Sequence, residues 1–189
     1  MKKLQPFVPQ RDATALILVD IQERLFAAMD PERKEGFLNN TQLLIQLAKT
    51  IGLPVLVTEQ YPKGLGKTIP PVLEALPKGI QPIEKLVFSS WRAHGFADQF
   101  RSSGATCAIL IGMESHVCVL GTAHDMLAAG IAVHVARDAV ISRTRENWET
   151  GLHLMDRAGA YLSSAETVIF QLLDRAGTEE FKVMAKLLR

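Results

Sequence analysis

Cysteine is scarce in this chain: among 189 residues only Cys107 and Cys118 carry a thiol. That excludes a disulfide-stapled scaffold. Cys107 falls inside an apolar run and Cys118 beyond it, so the two are not expected to pair, and a reducing, cytoplasmic compartment fits best. An excess of charge is also missing, with 21 basic residues against 20 acidic ones and no basic tract. Nucleic acid is therefore not an indicated partner. No apolar run approaches the ~20 residues that a membrane-spanning helix needs, and Met1-Lys2-Lys3-Leu4-Gln5-Pro6 lacks the apolar centre of a signal peptide.

Several cofactor and nucleophile signatures are missing too. Histidine does not occur before Ser90, and His94, His116, His124, His134 and His153 show neither HExxH nor Cys/His ligand spacing, so no metal is expected. No GxGxxG follows a strand and no GxSxG elbow occurs. Gly66-Lys67-Thr68 resembles the end of a phosphate loop, but Tyr61 stands where that loop needs its first glycine. No cofactor is expected.

What remains is an apolar fraction of 48% in a length that suits one α/β domain spanning residues 1–189. Apolar runs of strand length recur at 14–19, 54–58, 106–111 and 131–136, with Ala160-Tyr161-Leu162 as a short last one. Helical spacing lies between them, at 32–51, 72–76, 96–103, 119–127 and 146–158, and a helical tail covers 165–189. Gly52, Gly130 and Gly159 stand where helices end. An extended stretch at 81–91 is interrupted by Lys85. Strand alternating with helix implies a three-layer α/β/α domain around a mainly parallel, Rossmann-like sheet.

In such sheets the ligand crevice lies beyond the carboxyl ends of the strands. Asp20, the residues after Thr58, Cys118 and Asp138 end four strands, so they are expected to converge there. Cys118 is expected in the first turn of the helix after the central strand, where free N–H groups favour a thiolate. The alternative is a small apolar filler, which is the reading preferred for Cys107. Asp20 alone would serve equally as a helix cap. Lys85, if it points inward, demands a carboxylate partner, and Asp20 is the candidate. Tyr61, Phe88 and Trp91 are candidates to line a pocket, or are ordinary packing. A Cys–His pair through His116 or His124 is conceivable, but the local signatures of papain-like and caspase-like enzymes are absent.

Three ordered motifs then carry a resemblance: Leu18-Val19-Asp20-Ile21-Gln22, Lys85-Leu86-Val87-Phe88-Ser89, and Gly112-Met113-Glu114-Ser115-His116-Val117-Cys118-Val119. Ala136-Arg137-Asp138-Ala139-Val140-Ile141-Ser142-Arg143 supports them downstream. Over nearly its whole length the chain resembles the isochorismatase-like cysteine hydrolases, and in particular their uncharacterised isochorismatase-domain-containing subgroup. The resemblance implies Asp20 as general acid/base, Lys85 as the cation that holds the thiol ionised, and Cys118 as nucleophile. It also implies a cis peptide between Met113 and Glu114, with the N–H groups of Glu114 and Cys118 as an oxyanion hole.

Where nicotinamidases of this superfamily carry an Asp and His metal cluster, the chain reads Glu59-Gln60-Tyr61-Pro62-Lys63-Gly64, which weakens both nicotinamide deamidation and a metal. Isochorismate hydrolases do not use a cysteine nucleophile, so Cys118 weakens that activity as well. The implied function is hydrolysis of an amide-like C–N bond in a small-molecule substrate through a Cys118 thioester, by a homo-oligomer. The rival readings are a non-catalytic oligomeric binding module on the same fold and a redox-sensing thiol.

Overall fold

The computed structural model describes residues 7–188. Met1 to Pro6, where the missing signal-peptide centre was read, and Arg189 lie outside the described residues.

Strand β1 (Thr14–Val19) is buried along its whole length, as a run without polar alternation demands. Leu16 and Leu18 face one apolar layer, and Ala15, Ile17 and Val19 face the other. The remaining strands are β2 (Val55–Gln60), β3 (Ile83–Lys85), β4 (Cys107–Met113), β5 (Ala132–Ile141) and β6 (Tyr161–Ser163). They form one sheet in the order β3-β2-β1-β4-β5-β6, and all five pairings are parallel.

Helices cover both faces. Under the first lie α2 (Lys34–Ile51), α4 (Pro70–Ala75), α8 (Ala165–Leu173) and α9 (Glu179–Leu187). Over the second lie α5 (Phe96–Ser102), α6 (Leu120–Ala128) and α7 (Arg145–Ala158). Leu44, Leu47, Ala48 and Ile51 bury one stripe of α2, each large side chain contributing about 1.5–3 kcal/mol. Gly52 closes that helix in the left-handed region and returns its N–H to the Ala48 carbonyl.

The sheet is thus the three-layer α/β/α arrangement expected, with parallel pairing throughout. Some boundaries differ. The helix expected over 32–51 begins at Lys34, a short helix α1 (Glu23–Ala28) precedes it, and a single turn α3 (Pro62–Leu65) follows β2. The extended stretch at 81–91 is strand only over Ile83–Lys85, because the chain turns away once Lys85 is inside. Strand β5 runs on to Ile141, past a register shift against β4 between Leu110 and Gly112. The tail is two helices, broken where Asp174 and Gly177 take positive φ.

The strand order reverses at β1: β2 and β3 follow on one side, while β4 returns on the other. A crevice opens at such a switch beyond the carboxyl ends of the two strands. Asp20 follows β1, and the turn bearing Cys118 follows β4.

Candidate active site

Strand β4 reaches the crevice through Gly112, whose φ of 121° suits glycine alone. A Cβ there would collide with the Val19 carbonyl oxygen, so this glycine is what lets β4 lie against the end of β1. The Met113–Glu114 peptide is cis, as the resemblance implied. The chain then makes a wide π-helical turn, Ser115–Val119, that runs into α6. The N–H groups of Val117 and Val119 both donate to the Glu114 carbonyl, at 3.1 and 3.2 Å.

This turn is held from two sides. The Ser142 hydroxyl accepts from the Ser115 N–H at 3.1 Å and meets the Ser115 hydroxyl at 2.5 Å and His116 Nδ1 at 3.0 Å. Helix α7 presses Gly151 against the backbone of Ser115 and His116, where a Cβ would sit 2.6–2.7 Å from those atoms. Arg143 Nε donates to the buried Glu114 carboxylate at 2.9 Å.

Asp20 takes a φ of 52°, a left-handed conformation that aspartate tolerates better than most residues, and it is wholly buried. Lys85 Nζ donates to its Oδ2 at 2.6 Å, and the Thr58 hydroxyl donates to its Oδ1 at 2.7 Å. Neither ionic side chain has any exposed surface. Three more oxygens surround the ammonium: Gln60 Oε1 at 2.8 Å, the Phe88 carbonyl at 2.8 Å and the Val87 carbonyl at 3.3 Å. The Cys118 thiol completes the group, close enough to Asp20 and Lys85 for both to act on its ionisation. Three residues far apart in sequence therefore meet at one rim.

The electrostatics depart from expectation. Burial first, and then the Asp20 carboxylate, pushes the Cys118 thiol up to about 12, and the Lys85 charge offsets only part of this. Burial therefore works against the thiolate anticipated from a helix start. Cys118 is the fourth residue of the π turn and only 6% exposed, so desolvation outweighs the helix dipole. Burial also raises the Asp20 carboxyl, against the pull of Lys85 and Thr58. A raised carboxyl is a stronger base, so a proton can pass from sulfur to carboxylate while Lys85 balances the one negative charge they share.

The other candidates separate. Asp138 does not converge with Asp20 and Cys118: β5 continues past it, and its carboxylate accepts the Ala165 N–H at 2.8 Å, capping α8 on the far face. Cys107 is sealed inside β4, and burial raises its thiol to about 11. Trp91 stacks edge-on against Phe96 and Phe100 and beside Arg101, a packing role. Phe88 turns its ring outward, 63% exposed, and it is its carbonyl that serves the site. Tyr61 is half-exposed and folds back over Gly64. His116 is engaged by Ser142, and His124 borders a shallow groove with Phe88, Arg92 and Asp125. Among the described residues, no three His, Cys, Asp or Glu side chains group as a metal centre requires.

Sequence reasoning missed Thr58, Gln60 and Gln22. Thr58 pairs in register with Val19 and Gln60 with Lys85, so the strand pairing that set Asp20 beside Lys85 would have found both.

Comparison with known proteins bears on the fold and the family. The isochorismatase domain model matches residues 14–167. The mouse isochorismatase domain-containing protein 2A is 33% identical over 180 residues, covering 94% of this chain and 84% of that protein. A Caenorhabditis elegans structure described as MAR1 ribonuclease superposes with a TM-score of 0.89 at 33% identity, covering 96% of this chain and 92% of the other. YcaC from Escherichia coli, described as an octameric hydrolase of unknown specificity, superposes at 0.87 over 98% and 92% of the two chains. Its 22% identity speaks to the fold alone. With the domain matched over most of its length and these relatives covered almost end to end, the chain belongs to the isochorismatase family.

Proposed function

We propose that the protein is a cysteine hydrolase that opens an amide-like C–N bond of a small molecule. The observation that carries this reading is the fully buried 2.6 Å contact between Lys85 and Asp20, with the Cys118 thiol within reach of both charges. A buried ion pair costs desolvation and adds little stability, so its presence beside a thiol speaks for chemistry.

In the proposed reaction the Asp20 carboxylate takes the thiol proton as the sulfur attacks the substrate carbonyl carbon. The N–H groups of Glu114 and Cys118 stabilise the oxyanion that forms. Asp20 then delivers its proton to the departing nitrogen, leaving a Cys118 thioester and a free amine. Water, deprotonated by Asp20, attacks the thioester, and the proton returns to sulfur as the carboxylic acid leaves. Lys85 holds the shared charge throughout and loses no proton.

The worm relative's description raises RNA as a substrate. A net charge of +1 and a nucleophile 6% exposed favour a small substrate over a nucleic acid backbone. A reducing, cytoplasmic location is part of the proposal, supported by two free cysteines. Self-association is part of it as well, supported by the exposed apolar run Leu86, Val87 and Phe88.

Turnover of a small-amide panel tests the reading. At least one amide should yield its carboxylic acid, Cys118→Ala should abolish that turnover, and trapping should add the acyl mass to the Cys118 peptide. Because the ionised Asp20 is the base and its carboxyl is raised by burial, kcat/KM should fall as pH drops through a value above the ordinary aspartate range. Turnover that survives Cys118→Ala would sink the proposal.

A further inference from the structure

Lys85 Nζ carries three hydrogens, and Asp20 Oδ2, Gln60 Oε1 and the Phe88 carbonyl lie at 2.6, 2.8 and 2.8 Å. The ammonium is thus shared among three oxygens, and its pull on the sulfur offsets only part of what burial and the carboxylate do there. Of these three acceptors one is the catalytic carboxylate and one is backbone, which leaves Gln60 as the neutral side chain that decides where the ammonium points.

Its orientation is dictated by its partners. Oε1 faces a group that only donates, and Nε2 donates to the Leu86 carbonyl at 2.9 Å. Its backbone is fixed as well. The buried Gln22, two residues beyond Asp20, accepts the Gln60 N–H at 2.7 Å and donates to the Gln60 carbonyl at 3.0 Å and the Gly66 carbonyl at 2.7 Å. An unbroken polar chain therefore runs from the strand end that bears Asp20, through two amides, to Lys85. The neighbouring Glu59 stays out of it, since its carboxylate turns to the N–H and hydroxyl of Thr68, at 2.7 and 2.8 Å, and to Lys67 at 3.3 Å. The charged groups acting on the sulfur are Asp20 from the end of β1 and Lys85 from β3.

We propose that Gln60, braced by Gln22, is a positioning residue that draws the Lys85 ammonium towards itself and Asp20, limiting its pull on Cys118. This rests on the cysteine-hydrolase reading. It is tested without substrate, by following iodoacetamide alkylation of Cys118 in the intact protein by peptide mass spectrometry, between about pH 6 and about pH 10.

Gln60→Met keeps the length and removes the acceptor, freeing an N–H of Lys85 for the sulfur. Alkylation at about pH 8 should then rise about tenfold, the equivalent of one pH unit in the profile. Gln60→Glu offers Lys85 a second carboxylate and adds a negative charge, and should slow alkylation about tenfold. General loosening would move both variants the same way, so opposite shifts are the signature. Shifts in one direction, or none, overturn the tether. Lys85→Met separates the two readings: if it leaves the profile unmoved the hydrolase proposal fails, and if it moves the profile while the Gln60 variants do not, only the tether fails.

Discussion

Asp20 and Lys85 are sealed from solvent together, so removing one strands the other. Lys85→Met should cost about 3–5 kcal/mol in urea unfolding, because it leaves an uncompensated buried carboxylate. Asp20→Asn added to it should recover most of that loss, since asparagine tolerates the left-handed φ of 52° and carries no charge. The double variant should fold stably yet show no turnover. A stability equal to the sum of the two single losses would mean that the pair is not coupled. At this scale the pairing of Asp20 with Lys85 was legible, because Lys85 interrupts an extended apolar stretch with a charge that the interior must neutralise, whereas the role of Cys118 came from the resemblance. The ionisation state was not, since desolvation of Cys118 depends on atoms that no motif names. Gln60 lies beyond the apolar run 54–58, and only the register of β2 against β3 places it beside Lys85.

Among the elements, three glycines separate geometry from propensity. Gly112→Ala should cost about 1–3 kcal/mol for the clash with Val19, and a similar amount again for a φ of 121°. Gly151→Ala should push α7 off the nucleophile turn, lowering turnover along with about 1–3 kcal/mol of stability. Gly36→Ala, inside α2 with open space around it, should instead stabilise by about 0.5–1 kcal/mol. Thermal and urea unfolding of the three variants check this order. Strand and helix types followed from the spacing of apolar residues, but several ends did not. β5 runs five residues beyond its apolar run to Ile141, through Arg137 and Asp138 whose polar side chains made it look finished. The tail read as one helix because Phe181, Met184, Ala185 and Leu188 keep helical spacing, and Gly177 breaks it only through a backbone angle.

For the molecule as a whole, the sheet order is what creates the site: reversal at β1 sets the carboxyl ends of β1 and β4 side by side, and the sequence pattern of alternating strands and helices implied parallel pairing but not that order. Beside the crevice Leu86 is 76% and Phe88 63% exposed, an apolar edge that water solvates poorly. If self-association uses it, Leu86→Ser with Phe88→Ser should shift the mass in light scattering to a smaller species, with the far-ultraviolet circular dichroism spectrum unchanged. An unaltered mass would place the contact elsewhere. Cys107 has no exposed surface within β4, whereas Cys118 keeps 6% of its own. In its native state the protein therefore behaves as though it had a single addressable thiol. A small electrophile added without any cysteine engineering reports on one atom, and every mole of label bound counts one folded, competent site.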